Sequence, residues 1–597
     1  MKKTFDIATN LDKDSLAMEI GNKWQMWDDA RAEWKSRYKE SLQYLYASDT
    51  TQIIGQPSEE WKSTTHIPKL TQIRDLLITY YIESLFSLDN YVEWKASTSH
   101  SDTLEKRNLI RDFVKDMLDK GDYRRTTEKL VEDYVDSGNA FAMPEYVVDM
   151  VSTSMGIKER FKGVKIRRIN PMDIVFNPLA VDFKSTPKII RSVKSLGELK
   201  AAAETDPSMK KAFDRAIKNR QAVREAYSQG EEIVNDSLSI AGFGSITQYM
   251  QSDTCELLTF MGDIYDVTKD ELHKSAKIVI MDRSIVLSEE TFEGTEDFNC
   301  IFHASWRNRK DTLWGMSPLE NLLGMQYRID YLENKRADVY DFVSNPVLLT
   351  LGEVELPEQV TPGTVISGDA TATVRYMHPD VSILQSGTLM ADYMALMEEY
   401  AGAPREMMGF RTPGEKTAFE YSQMMNAAQR VFQKKIRNYE LMSEELINAA
   451  LHLYLHKSAG QRIELKTWNS QYGVALFKEV SIDDIKGEGQ IKAVGSVAYA
   501  DKGRLAQTIS QLGNNGLFMD QAVLANISPS KLGETLLFAT GLDTVNGLYK
   551  KDARLYEMAE QSQLSASLQN QVQRAVARPT MDEMVEAMEA QNAELNA

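Results

Sequence analysis

Apolar positions along this chain change period several times, and each change marks a new kind of element. Ile20, Trp24, Trp27, Trp34, Tyr38, Leu42 and Leu45 fall along one side of a long helix predicted from about Ser15 to Ala47. Aromatic side chains at helical spacing read as a packed seam, since they bury the most area per residue. Thr51 to Pro68 is polar and turn-rich, a connector or clamp loop. Helical spacing returns over Leu70 to Leu88, Asp102 to Lys120 and Tyr123 to Ser137, with Gly121 parting the last two. After Gly138 the period shortens. Asn139 to Val148 and Gly163 to Ile169 read as paired strands joined by a loop around Ser152 to Lys158, and Asn170-Pro171 and Asn177-Pro178 as turns. Leu196 to Ala203 and Pro207 to Ser228 revert to helix, and Gly230 to Ser252, rich in Gly, Ser and Gln, reads as a linker or mobile loop. Strands are expected at Cys255 to Tyr265, Ala276 to Met281, Ser284 to Leu287 and Cys300 to Trp306, with Asp282-Arg283 as a turn. The first 316 residues predict an α+β body, helices first and sheet later.

The run from Trp314 to Lys457 organises the rest. In WGMSPLENLLGMQYRIDYLENKRADVYDFVSNP, Ser317 is a suitable N-cap, Pro318 takes the first helical position and Glu320 can reach back. Leu319, Leu322, Leu323, Tyr327, Ile329, Tyr331, Leu332, Val339, Tyr340 and Val343 recur at threes and fours until Asn345-Pro346 ends the helix, roughly 40 Å long at the standard rise. A compact β insert comes next, with candidate strands at Val347 to Leu351, Thr364 to Ile366 and Thr373 to Met377. A second helix, Thr388 to Tyr400, ends at AGAP, and REMMGFRTPGEK has no helical period and reads as a mobile loop. Thr417 can cap, with Glu420, a helix that runs to about Lys457, roughly 60 Å. A helix that long without heptads needs a large partner surface. Short strands are predicted at Ile463 to Leu465, Ala475 to Val480 and Ile491 to Val494, then broken helix from Ala500 onward.

Composition narrows the function classes. The 597 residues, 43% hydrophobic and 26% charged, can bury large cores in several domains. With 87 acidic against 69 basic side chains the net charge is −18, which is unlike a protein that grips nucleic acid through counterion release. Acidity leaves DNA open as a passing partner. Cys255 and Cys300 carry no metal or redox spacing and read as buried free thiols in a reducing compartment. No signal peptide and no apolar run near membrane-spanning length is evident, so a soluble protein made in the cytosol is expected, with no membrane partner. The chain has no GxxxxGK[ST] and no HExxH, and His452 and His456, at i and i+4, lack a third ligand. No catalytic triad, metal site or cofactor is expected, and an enzyme is disfavoured.

One ordered series of short motifs carries a family likeness: Trp306-Arg307, then Asp311 to Glu320 (D-x-x-W-G-M-S-P-L-E), then Gln326, Asp330, Asn334 and Asp338 on one helix, then Pro346, Pro362 to Ile366 (P-G-T-V-I) and Glu415 to Glu420 (E-K-T-A-F-E). The series resembles the portal proteins of tailed bacteriophages, the head–tail connectors of the short-tailed type above all. Trp314, Gly315, Ser317, Pro318, Gln326, Asp330 and Asn334 carry its stem-helix motif. The resemblance implies a predominantly helical α+β portal-like fold assembled as a ring, commonly of twelve subunits. It divides the chain into wing (1–316), first stem helix (317–344), clip (345–384), second stem helix (385–403), tunnel loop (404–416), further wing (417–499) and crown with C-terminal helices (500–597). It implies a channel at one capsid vertex through which double-stranded DNA is packaged and ejected, docked by the terminase packaging motor and then by tail adaptor proteins, and contacting capsid and scaffolding proteins. The location would be the virion, at the head–tail junction, after assembly in the host cytoplasm. By this likeness Arg405, Met407, Met408, Arg411 and Lys416 face DNA from the tunnel loop, and Glu353, Glu355, Glu358, Asp369 and Arg375 form the clip's docking surface. Physics agrees with the role, because DNA must slide and each tight phosphate contact would act as a brake. Rivals from other classes are a metal-dependent nuclease or other DNA-processing enzyme, and a non-viral helical scaffold.

Overall fold

Long apolar periods become elements, and several short ones prove longer than their periods suggest. The computed structural model describes residues 8–9, 13–54, 61–87, 91–97, 104–153, 156–205, 207–227, 253–291, 301–309, 312–355, 367–377, 380–401, 418–458, 462–469, 474–481, 485, 487 and 489–493. Helix and strand are mixed, about 52% and 30%, and no closed barrel occurs among the described residues. The chain divides into two compact units, Met1–Leu465 with Lys478–Ser496, and Lys466–Phe477 with Val497–Ala597. The first unit contains the motif from Trp314 to Asp338 and the layers that support it.

After a short strand β1 (Ala8–Thr9), the predicted first helix is two, α1 (Lys13–Ala30) and α2 (Ala32–Tyr46). The break has a tertiary cause. The buried Arg31 guanidinium donates to the Asp28 carboxylate at 2.9 Å and to the carbonyls of Pro171 and Met172 at 2.6 Å, which fixes residue 31 outside helical geometry. A one-turn helix α3 (Thr50–Ile54) lies within the predicted connector, and α4 (Lys69–Leu85) comes after it. Strand β2 (Val92–Ala96) had no clear signal, being five residues with two charges. Helices α5 (Leu104–Lys120) and α6 (Tyr123–Asp136) part at Gly121 as predicted.

Strands β3 (Asn139–Thr153) and β4 (Gly156–Ile169) form one long antiparallel ribbon that continues through the predicted loop, with a register shift at Asp149/Met150. The main sheet is antiparallel along the order β5 (Ile174–Phe176), β6 (Lys188–Ser195), β7 (Thr254–Asp266), β8 (Glu271–Met281) and β9 (Ile285–Thr291), with β1 parallel to the end of β7. Strand β5 was hidden between the Asn170-Pro171 and Asn177-Pro178 turns, and β6 has no counterpart among the predicted strands. Helices α7 (Leu196–Thr205) and α8 (Pro207–Tyr227) interrupt the sheet's sequence between β6 and β7. Alternation explains the layers. Leu258, Phe260, Ile278 and Ile280 face Leu16, Ile20, Trp24 and Trp27 of α1, whereas Cys255, Leu257 and Met281 face Leu199, Ala203 and Phe213 of α7 and α8. A strand buried on both faces reads as a largely apolar run, as CELLTFM does with only Glu256 and Thr259 polar. The β8–β9 turn holds Asp282 and Arg283 at φ 49° and 56°, steadied by Arg220 on Asp282 at 3.0 Å and by Arg283 on Glu256 at 2.9 Å.

Strand β10 (Phe302–Ser305) pairs with β3, and β11 (Asn308–Arg309) with β12 (Thr312–Gly315). Then come α9 (Leu323–Ser344), β13 (Val347–Leu351), β14 (Val354–Glu355), β15 (Ser367–Gly368), β16 (Thr373–Met377), a 3-10 turn (Val381–Ser386) and α10 (Gly387–Ala401). The long helix α11 (Ala418–Lys457) has 40 residues and buries Ile436, Tyr439, Met442, Leu446, Ile447 and Ala450 against the body. Strands β17 (Arg462–Asn469) and β18 (Val474–Ser481) pair, and β19 (Gly489–Ala493) closes on the distant β2. The predicted linker Gly230 to Ser252, Cys300, the strand Thr364 to Ile366 and everything after 493 lie outside the described residues.

Candidate functional site

Two close backbone approaches fix the start of the motif that begins at Trp314. Gly138, at φ +74°, would place a Cβ 2.5 Å from the Met316 carbonyl carbon, and Gly315 would place one 2.4 Å from the Gly138 carbonyl oxygen. Only glycine fits both sides of such a crossing. Asn139, fully buried, closes it by accepting from the Gly315 amide at 2.7 Å and donating to the Gly315 carbonyl at 3.2 Å. Trp314 stacks on Phe176 at 4.8 Å and leans on Trp34 at 4.5 Å, with the Arg31 guanidinium 5.0 Å from its ring. Ser317 accepts from the Leu319 amide at 3.0 Å and Glu320 accepts from the Ser317 amide at 3.1 Å, so Glu320 reaches back as predicted, but these bonds close a turn and do not cap the helix, whose N-cap residue is Leu322. Helix proper thus begins at Leu323 rather than beside Pro318. Ser317 also donates to the Val135 carbonyl at 2.7 Å, and residues 318–322 form a turn closed by Leu322 N to Leu319 O at 2.9 Å.

The spacing of four among Gln326, Asp330, Asn334 and Asp338 aligns them on one side of α9, and each meets the connector before α4. Gln326 accepts from the Leu70 amide at 3.0 Å and donates to the Ile67 carbonyl at 2.5 Å. Asp330 meets His66 Nδ1 at 2.7 Å and accepts from the Ile67 amide at 3.0 Å. Asn334 reaches Thr50 Oγ1 at 3.4 Å, and Asp338 accepts from the Ser63 amide at 2.8 Å. Gln326, Asp330 and Asp338 are buried, so the stripe is an internal clamp. Beside it a cleft of about 320 Å³ opens between Tyr44, Ile53, Lys62, Tyr327, Tyr331 and Asn334. Burial, together with Asp330, pushes the Tyr44 phenol up to about 12.

The body end of α10 is tied to the same place. Lys69 donates to Glu398 at 2.5 Å, both buried, and Met397 is fully buried beside them. Neither Lys69 nor His66 stood out in the sequence, and the acidic pair Glu398-Glu399 reads as a solvated helix face, whereas Glu398 is buried on a partner 329 positions away.

Beyond these anchors the hairpin is bare. Between Val339 and Leu396 no described residue is buried. Val347, Leu349, Leu351 and Met377 share one open face of the β13–β16 ladder, set by the pairing of Val347 with Met377. Leu389, Tyr393, Leu396 and Tyr400 form one stripe along α10 at spacings of four, three and four; all but the partly covered Tyr393 are exposed. Tyr340 and Val343 stand open on α9. A two-stranded ladder with no core is marginal in water, and its unpaired edges invite pairing.

At the tip, Glu353, Glu355 and Asp369 come together on the β14–β15 pair, where Val354 opposes Gly368, and all three are exposed. Arg375 sits apart on β16 opposite Leu349, and Glu358 lies outside the described residues. So do Arg405, Met407, Met408, Arg411 and Lys416, with Thr417. His452 and His456 are exposed on α11, and among the described residues no group of three His, Cys, Asp or Glu is placed to hold a metal. Burial pushes the Cys255 thiol up to about 12, and no helix among the described residues is long and apolar enough to cross a membrane. No protein-family model matches the chain, and no curated protein matches it.

Proposed function

We propose that this chain is the subunit of a tailed-phage portal of the short-tailed type, a ring at one capsid vertex through which double-stranded DNA enters and leaves. The observation that carries the reading is the hairpin α9–β13/β16–α10, anchored at its base by buried polar contacts and without a single buried described residue from Val339 to Leu396. Fully burying one such Leu or Tyr is worth about 1.5–3 kcal/mol, so a row of them left in water favours a covering surface. Repeated copies of the same hairpin supply that surface in a closed ring, each presenting one face to a neighbour's other face. In this reading α9 and α10 are the stem helices and residues 345–384 the clip. Residues 404–416 form the DNA-facing loop, α11 the helix behind it, residues 1–316 and 417–499 the wing, and residues 500–597 the crown. The acidic tip at Glu353, Glu355 and Asp369 is the docking surface for the terminase motor and then for tail adaptors. The ring, a dodecamer in this reading, would stand at the head–tail junction of the virion with capsid and scaffolding proteins around it, and would perform no catalysis of its own.

Negative-stain microscopy of the purified chain tests this directly. Closed rings with a central channel are expected; a monodisperse monomer at high concentration would sink the reading. Metal-dependent cleavage of DNA, abolished by single carboxylate substitutions, would instead favour a nuclease.

A further inference from the structure

Trp306 is held as a platform. Its amide donates to the Gly138 carbonyl at 2.9 Å and its indole N–H to the Tyr81 hydroxyl at 3.1 Å. Two cations lie against this one ring, the Lys435 ammonium 4.1 Å and the Arg307 guanidinium 5.4 Å from its centroid. Lys434 adds a third charge beside them on α11. Lys435 is half-buried and donates to the Trp306 carbonyl at 3.0 Å, while Arg307 and Lys434 are exposed. Among the described residues none of the three pairs with a carboxylate. Burial, with Arg307 and Lys434 nearby, lowers the Lys435 pKa. A partly desolvated cation normally keeps a counter-charge, and among the described residues this one meets a carbonyl and a ring but no carboxylate.

The sequence around the cluster is one-sided. From Tyr421 to Tyr439 there is no acidic residue but four basic ones, Arg430, Lys434, Lys435 and Arg437, of which Arg437 is already paired with Glu440 at 3.3 Å and Glu444 at 3.2 Å, and Arg309 and Lys310 come soon after Arg307. That is unusual in a chain with 87 acidic residues. One carboxylate from a neighbouring copy would neutralise one of these charges. A phosphodiester chain, with a charge every few ångströms along its length, matches several at once. An Arg fork beside Lys point charges suits phosphate oxygens.

We infer that the Trp306 platform with Arg307, Lys434 and Lys435 is a phosphate-backbone contact for double-stranded DNA, separate from residues 404–416. Backbone contact positions DNA without reading sequence, so binding is sequence-independent and falls steeply with salt. The inference shares with the portal reading the premise that DNA meets this chain, and needs no ring.

The test uses the full chain and a fluorescent duplex of about 30 base pairs, followed by anisotropy between about 50 and 200 mM salt. The double variant Arg307→Gln/Lys434→Gln is expected to bind roughly tenfold or more weakly at the low-salt end and to reduce the slope of log K against log salt by about 1.8, some 0.9 for each lost contact. The charge-keeping Arg307→Lys/Lys434→Arg restores the slope, and Lys39→Gln/Lys210→Gln, exposed lysines on α2 and α8, leaves it unchanged. An unaltered slope in the first variant, with its melting temperature preserved, overturns the inference. So does loss of rings at unaltered DNA affinity, which would assign the cluster to a neighbouring copy. A wild-type chain that forms no rings but shows the slope change removes the portal reading and leaves this one standing.

Discussion

Replacing Asp330 by Ala isolates the clamp between α9 and the connector. The carboxylate is almost fully buried and takes donors from His66 at 2.7 Å, the Ile67 amide at 3.0 Å and Gln326 Nε2 at 3.0 Å. Gln326 keeps its bond to the Ile67 carbonyl, so the loss falls on the imidazole and the Ile67 N–H. An orphaned buried donor costs about 1–3 kcal/mol, and two are left, the imidazole and the Ile67 N–H. Asp330→Ala should therefore cost about 3–5 kcal/mol, felt first as opening of residues 61–70. Hydrogen exchange reads such local opening, and that cost corresponds to exchange at the Ile67 and Leu70 amides faster by roughly a hundredfold or more. Asp341→Ala, exposed on the same helix, is the control and should change protection there by less than about 0.5 kcal/mol. If Asp330→Ala leaves the 61–70 peptides within about threefold of wild type, the stripe is not a clamp and the argument from burial fails.

Four further outcomes are expected. Gly315→Ala would drive a Cβ to 2.4 Å from the Gly138 carbonyl oxygen and should abolish the folded protein or sharply lower its melting temperature, whereas Gly324→Ala, with nothing within 4 Å, should stabilise α9 by about 0.5–1 kcal/mol; equal melting shifts would contradict this. His303, stacked on Phe141 and close to Lys188, has its pKa pushed down to about 3 by burial and by that ammonium. The folded state thus binds fewer protons than an unfolded imidazole of about 6.5, so its contribution is complete above that pH and is lost towards 3 by up to about 1.4 kcal/mol per pH unit, a slope that denaturant unfolding should find reduced in His303→Gln. Leu389→Asp/Leu396→Asp should convert rings to folded monomers by light scattering; rings that persist would show that the α10 stripe is not an interface. Deleting Gly409 to Gly414 should leave rings intact and impair DNA packaging or retention, and loss of rings would mean those residues are structural.

Legibility tracked the range of the interactions. Most helical periods over fifteen residues or more, the Asp282-Arg283 turn, the Glu320 bond back to the Ser317 amide and the Asn345-Pro346 stop are local, and each formed close to where the residues put it, although the helix after Ser317 starts only at Leu323. Errors came where distant contacts overrode local pattern. Arg31 reaches across to Pro171 and splits one helix into two, and β2 exists because Gly489–Ala493 returns to pair with it. In the candidate site, the stripe of Gln326, Asp330, Asn334 and Asp338 was visible as a spacing, but its partners were not, because a lone His66 or Lys69 gives no sign of a mate some 264 or 329 positions away.

That stripe also changes what the hairpin is. A protruding pair of helices held only by apolar contact would slide on the body, since apolar packing has little directional preference. Directional hydrogen bonds to backbone amides at Ser63, Ile67 and Leu70, with the Lys69–Glu398 pair on the second helix, set both rotation and register at the base. The cost is desolvation of several charges, which apolar residues of the same volume would avoid. Such an expense makes sense where position matters more than stability. In the proposed ring, a subunit must present its outer half at a fixed angle before its neighbours arrive, and the buried polar base is the part of this fold suited to that task.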